Sequence, residues 1–145
     1  MPDMEEWRGV SVSQTFAVTT QDVDAFAGLC GDRHPLHCDP AFAAARGYRD
    51  RVVHGAFLGA LASAAFSAKL PGAESLVLQK LDLQFRKPAY PGDQLTVTLD
   101  VADIFASVQA IRLSVKIRNQ QDALLCTGTI QAGIPLSAHE HDQRP

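Results

Sequence analysis

Between Cys30 and Pro40 the sequence reads CGDRHPLHCDP, which places Asp32, His34 and His37 within six residues and a second carboxylate, Asp39, just beyond. An Asp/His pair is suited to taking a proton from water and returning it. The same residue types ligate metals, and Asp, His and Pro are also ordinary turn formers. A metal held by His34, His37 and Asp39 needs a fourth ligand that the rest of the chain does not supply at a recognisable spacing. Cys38 follows His37 directly, and chain neighbours rarely face one another, which argues against a Cys/His nucleophile. Asp39 stands immediately before Pro40 and a run of alanines, so it has a capping role to fill.

A second stretch, RVVHGAFLGAL from Arg51 to Leu61, adds to the first. A His-Gly pair opening an apolar helix presents free backbone N–H groups and the positive end of a helix dipole. Gly55 has no Cβ, so a carbonyl can approach its amide closely, as an oxyanion site requires. One preorganised donor of this kind is worth roughly 3 kcal/mol, and general acid–base help contributes about 10²–10⁴-fold. The two together suit addition to, or elimination from, the carbons α and β to a thioester carbonyl, where enolate-like charge develops. His54 reads as a helix-start or packing residue.

These residues need elements to hold them. Val10 to Val18 alternates as a strand. In TTQDVDAFAGLCG, Thr19 or Thr20 caps a helix over roughly Gln21 to Leu29 that Gly31 ends. DPAFAAARG marks a second short helix, with Asp39 as cap, Pro40 at its first position and Gly47 at its end. From Val53 to Leu70, Phe57, Leu58, Leu61, Ala65 and Leu70 form a broad apolar face, and small residues fill most of the remaining circumference. That pattern predicts a long buried helix with a sheet wrapped close around it.

Beyond LPGAE the period changes from 3.6 to 2. Strands are expected over Leu76 to Phe85, Gln94 to Ile104, Val108 to Arg118 and Ala123 to Ile134. The clearest is IRLSVKIR, with Ile111, Leu113, Val115 and Ile117 inward. PAYPGD and RNQQDA are the turns. The architecture is α+β, a curved antiparallel sheet around a long central helix, and its open sheet edge is a surface for dimerisation. One domain over 1–136 is expected, with 137–145 a disordered tail whose His139 and His141 are read as mobile side chains rather than metal ligands.

With 145 residues, 46% hydrophobic and 20% charged, the chain can build one core without disulfides or metals. Its net charge is −3 and its longest basic run is Arg86-Lys87, so nucleic-acid binding is not indicated. Three cysteines without CxxC spacing fit a reducing cytoplasm. No stretch has the makings of a leader or a membrane span.

Three blocks, GDRHPLHCDPAFAAARGY, RVVHGAFLGALASAAF and LQFRKPAYPGD, resemble in order and spacing the MaoC-like, R-specific enoyl-CoA hydratase family of the hotdog fold. The family pattern runs Asp-x-Asn-Pro-x-His, then His-Gly-Met, then Phe-x-x-Pro-x-x-x-Gly-Asp, and the resemblance covers roughly Phe16 to Ile134. It implies a dyad of Asp32 and His37 that activates one water for addition to C3 of a trans-2-enoyl thioester, giving a (3R)-3-hydroxyacyl thioester. It further implies Gly55 as the amide polarising the carbonyl, Ser63 as a substrate-binding serine, and a homodimer.

No cofactor is implied beyond the coenzyme A or acyl carrier protein that carries the acyl chain; Arg86 and Lys87 are candidates to meet its phosphates, the other reading being a solvated basic pair. His34 departs from the pattern, standing where the family has Asn, as does Ala56 where it has Met. Two other functions share the fold: thioester hydrolysis, against which the order of the motifs argues, and acyl-thioester binding without turnover, with His34 marking a decayed site.

Overall fold

The computed structural model describes residues 3–135; the expectation for the tail 137–145 lies outside them. A 3-10 turn at Met4–Trp7 precedes β1 (Ser11–Ala17). Four helices follow, α1 (Thr20–Cys30), α2 (Pro35–Cys38), α3 (Pro40–Ala45) and α4 (Gly55–Lys69). The chain then runs through β2 (Val77–Phe85), β3 (Gln94–Phe105), β4 (Ala110–Arg118) and β5 (Leu124–Gly133). The strands form one antiparallel sheet in the order β1-β3-β4-β5-β2, with the first two strands of the sequence at its edges.

Period-2 alternation dictates which face of the sheet is covered. Leu95, Val97 and Leu99 of β3, Ile111, Leu113, Val115 and Ile117 of β4, and Ile130 and Ala132 of β5 are all buried. They pack against Leu58, Ala62, Ala65 and Phe66 of α4 in one core. Irregular register at Leu78/Lys80 in the β2–β5 ladder and at Val101/Asp103 in the β3–β4 ladder is the kind of bulge that adds twist and lets a sheet curl around a helix. The turn PAYPGD is tied from within: buried Asp93 accepts from the Tyr90 amide, the Arg49 guanidinium and the Gln120 side-chain amide.

Local caps set the helices that carry the candidate site. Thr19 and Asp22 form a reciprocal capping box on α1, and Gly31 ends it at φ +80°. Asp39 accepts from the Ala41 and Phe42 amides at the start of α3, the capping role its position predicts. Two features differ from the pattern-based expectation. The segment Pro35–Cys38, which lies between the two expected short helices, is itself a helical turn, because Pro35 sits at its first position and His34 caps it. The long helix is also not enclosed all round: Ala56, Ala60, Ala64 and Ala68 are exposed. The adjacent β2 is an edge strand and leaves that side uncovered.

Candidate active site

The site is assembled around an extended tetrapeptide, Val52-Val53-His54-Gly55, that leads into α4. The Val52 amide donates to the Leu36 carbonyl and the Val53 amide to the Ala89 carbonyl, pinning the segment between α2 and the turn before β3. The Val52 carbonyl accepts a 2.6 Å hydrogen bond from His37 Nδ1, and His54 Nε2 donates at 2.9 Å to the Asp32 carbonyl. Both bonds end on carbonyl oxygens, which only accept, so the nitrogens facing them carry hydrogen.

For His37 the consequence is chemical. With Nδ1–H committed to Val52, neutral His37 has its bare lone pair on Nε2, the form that accepts a proton. Burial holds its pKa below the ordinary 6.5; the Val52 carbonyl and Asp32 push it up, and His54 and His34 push it down. His37 is half-buried and Asp32 exposed. Asp32, His37 and His54 each bring one donor atom to within 4.8 Å of the others. A single water hydrogen-bonded at about 2.8 Å to two groups spans such a gap. The imidazoles of His37 and His54 are stacked, with centroids 3.9 Å apart and planes at 21°.

His37, Tyr48, Gly55, Phe85, Arg86 and Lys87 line one cavity of about 290 Å³. His54 makes no side-chain cap on α4, which leaves the first amides of the helix without a side-chain acceptor. The space beside Gly55 is taken by the ring of Phe85: a Cβ on Gly55 would lie 2.8 Å from it. Arg86 is engaged, donating to the Thr127 hydroxyl at 2.8 Å and to Gln84 at 3.3 Å, whereas Lys87 is exposed. Asp32 is not among the lining residues. Ser63 lies in a neighbouring apolar cavity of about 480 Å³, bounded by Ala56, Gly59, Ala60, Leu78, Leu81 and Leu83, which meets the first at Gly55 and Phe85.

His34 has a structural explanation. Its Nδ1 accepts from the Leu36 amide at 3.1 Å, capping α2 as an Asn side chain would. Its own amide donates to Asp32 Oδ1. It is exposed, and its ring centroid lies 6.0 Å from that of His37. Reading the sequence missed two contributors. Val52 acts through its backbone carbonyl, which carries no side-chain signal. His54 was read as packing, and its hydrogen bond to Asp32 spans 22 residues, beyond any local pattern.

A family model described as "MaoC like domain" matches residues 5–121. The (R)-specific enoyl-CoA hydratase of Aeromonas caviae is 36% identical over 114 residues, covering 79% of this chain and 84% of that protein. The solved A. caviae (R)-hydratase involved in PHA biosynthesis superimposes with a TM-score of 0.81 at 31% identity, covering 88% of this chain and 96% of that one. An R-hydratase from Pseudomonas aeruginosa, solved in unliganded form, gives a TM-score of 0.79 at 31% identity, with 88% and 81% covered.

Proposed function

The chain belongs to the MaoC-like domain family and has the hotdog architecture of its solved relatives, and from that premise we propose that it is a hydro-lyase. It reversibly adds water to trans-2-enoyl thioesters to give (3R)-3-hydroxyacyl thioesters. The observation that carries this reading is the convergence of Asp32 and His37 at the uncapped start of α4, with His37 in the tautomer whose Nε2 accepts a proton. The relatives named as (R)-specific enoyl-CoA hydratases support it.

In this mechanism one water is held between Asp32 and His37. Its proton passes to His37 Nε2 as its oxygen bonds to C3, and the alkene electrons move through C2 toward the thioester oxygen. The Gly55 amide and the dipole of α4 stabilise that oxygen. The imidazolium then returns its proton to C2, so the site ends in its starting state. Asp32 orients the water and favours the transient imidazolium. Lys87, with Arg86 beside it, meets the phosphates of coenzyme A or of a carrier protein's phosphopantetheine. Ser63 contacts the acyl chain rather than the reacting carbons. No further cofactor takes part in this scheme.

The protein acts as a homodimer in this account. Edge strand β2 exposes Val77, Leu78, Leu81 and Phe85 beside the exposed alanines of α4. A second copy would cover this surface and close the apolar cavity between α4 and β2. Leu81→Lys is expected to shift the protein from dimer to monomer in light scattering. A cytoplasmic setting is supported by three free thiols; among the described residues no helix is long and apolar enough to cross a membrane. The function is tested by following the enone absorbance of short, medium and long enoyl-CoAs and by coupling the product to an (R)-specific dehydrogenase. Release of free thiol from saturated acyl-CoA without hydration would assign thioester hydrolysis instead. Binding without turnover at any chain length would make the domain an acyl-thioester binder.

A further inference from the structure

His54 is 1% exposed and occupies the position just before α4 where Ser, Thr, Asp or Asn would cap the helix, yet it makes no cap. Burying a ring nitrogen without a hydrogen bond is unfavourable; Nδ1 of His54 is buried without one, and its Nε2 bonds to the Asp32 carbonyl rather than to the helix. The other bonds of Asp32 are local: its amide to Cys30 Sγ at 3.5 Å, and its Oδ1 with the His34 amide at 3.2 Å. His54 is therefore the long-range restraint on the backbone that carries the Asp32 carboxylate. Its ring stacks on that of His37 at 3.9 Å and packs on the tilted ring of Phe26 at 5.0 Å. The same tetrapeptide fixes the other nitrogen of His37 through the Val52 carbonyl.

We propose that His54 is a positioning residue: its Nε2–H fixes the Asp32 backbone and its ring seats the His37 imidazole, so that one tetrapeptide sets both side chains against the Gly55 amide. The inference rests on the hydratase reading for its kinetic consequence and on the geometry alone for its spectroscopic one. A displacement of about 1 Å in a reacting group can cost about 10²-fold in rate.

The test compares His54→Gln and His54→Met, side chains of similar length of which only Gln can donate to the Asp32 carbonyl. His54→Phe, which keeps a stacking ring, is the third variant should either lose its melting transition. With crotonyl-CoA, H54M is expected to lose about 10²-fold in kcat with KM nearly unchanged, and H54Q to recover at least tenfold of that loss. Equal kcat in H54M and the parent, or H54Q no better than H54M, overturns the proposal.

The second readout needs no turnover. The carbonyl carbon resonance of Asp32, followed by NMR in substrate-free protein, reports the hydrogen bond that His54 Nε2 donates to it. It is expected to move in H54M and to return toward the parent position in H54Q, because only Gln keeps a donor there. A parent protein that does not turn over counts against the hydratase reading. In that case an Asp32 resonance unmoved in H54M, or moved equally in H54M and H54Q, overturns the positioning role, and one moved in H54M and restored in H54Q sustains it.

Discussion

Replacing His34 separates a cap from a catalyst. The His34 ring accepts one hydrogen bond, from the Leu36 amide at 3.1 Å, at the start of the turn that carries His37. Asn is among the best residues for this task, and removing an N-cap acceptor costs about 1 kcal/mol. That cost is roughly a fivefold change in the ratio of formed to frayed turn, given about 1.4 kcal/mol per tenfold. If only the formed turn is active, His34→Ala loses at most about fivefold in kcat, and His34→Asn stays within about twofold of the parent. The assay is initial-rate hydration of crotonyl-CoA, with circular dichroism to confirm folding. A loss beyond about 100-fold in folded H34N would show that His34 touches the chemistry and refute the capping argument.

Two further perturbations follow from the geometry. Hydration needs His37 with Nε2 free, and its pKa lies below 6.5 in the folded protein, so the acid limb of kcat/KM should fall below that value. For stability the sign is the same: the unfolded chain binds this proton first, so the His37 contribution is complete above pH 6.5 and is lost as pH falls toward the depressed folded value. Urea unfolding should accordingly show a larger acid loss in the parent than in His37→Ala. At Gly128 of β5 a Cβ would lie within 2.0 Å of the Asp82 carbonyl oxygen of β2, and backbone on both sides must move. Gly128→Ala should therefore cost about 1–3 kcal/mol or more, read as a lower urea midpoint; an unchanged midpoint would contradict the close pairing of these strands.

Much of this architecture was legible because it is written in local periodicity. IRLSVKIR alternates strictly, and its four apolar residues are buried in the order the alternation demands. Thr19, Gly31, Asp39 and Pro40 mark helix ends through their own side chains or backbone freedom, and each sits where its chemistry requires. What could not be read depends on contacts distant in sequence. The His37–Val52 and His54–Asp32 bonds join residues 15 and 22 positions apart, and the acceptor in each is anonymous backbone. The exposed alanines of α4 escaped for a related reason: small apolar residues read as buried whether the sheet covers them or leaves them for a second copy. At Gly55, the sequence showed an absent Cβ, and the structure shows that the ring of Phe85 uses the space.

The central claim is that Asp32 and His37 together activate one water for addition to an enoyl thioester. Its most direct test is hydration of crotonyl-CoA by Asp32→Asn and His37→Ala, each with its melting transition measured alongside. Both side chains are at least partly exposed and outside the core, so both variants should fold as the parent does. The account predicts that each loses at least about 10²-fold in kcat; parental turnover in either folded variant would contradict it.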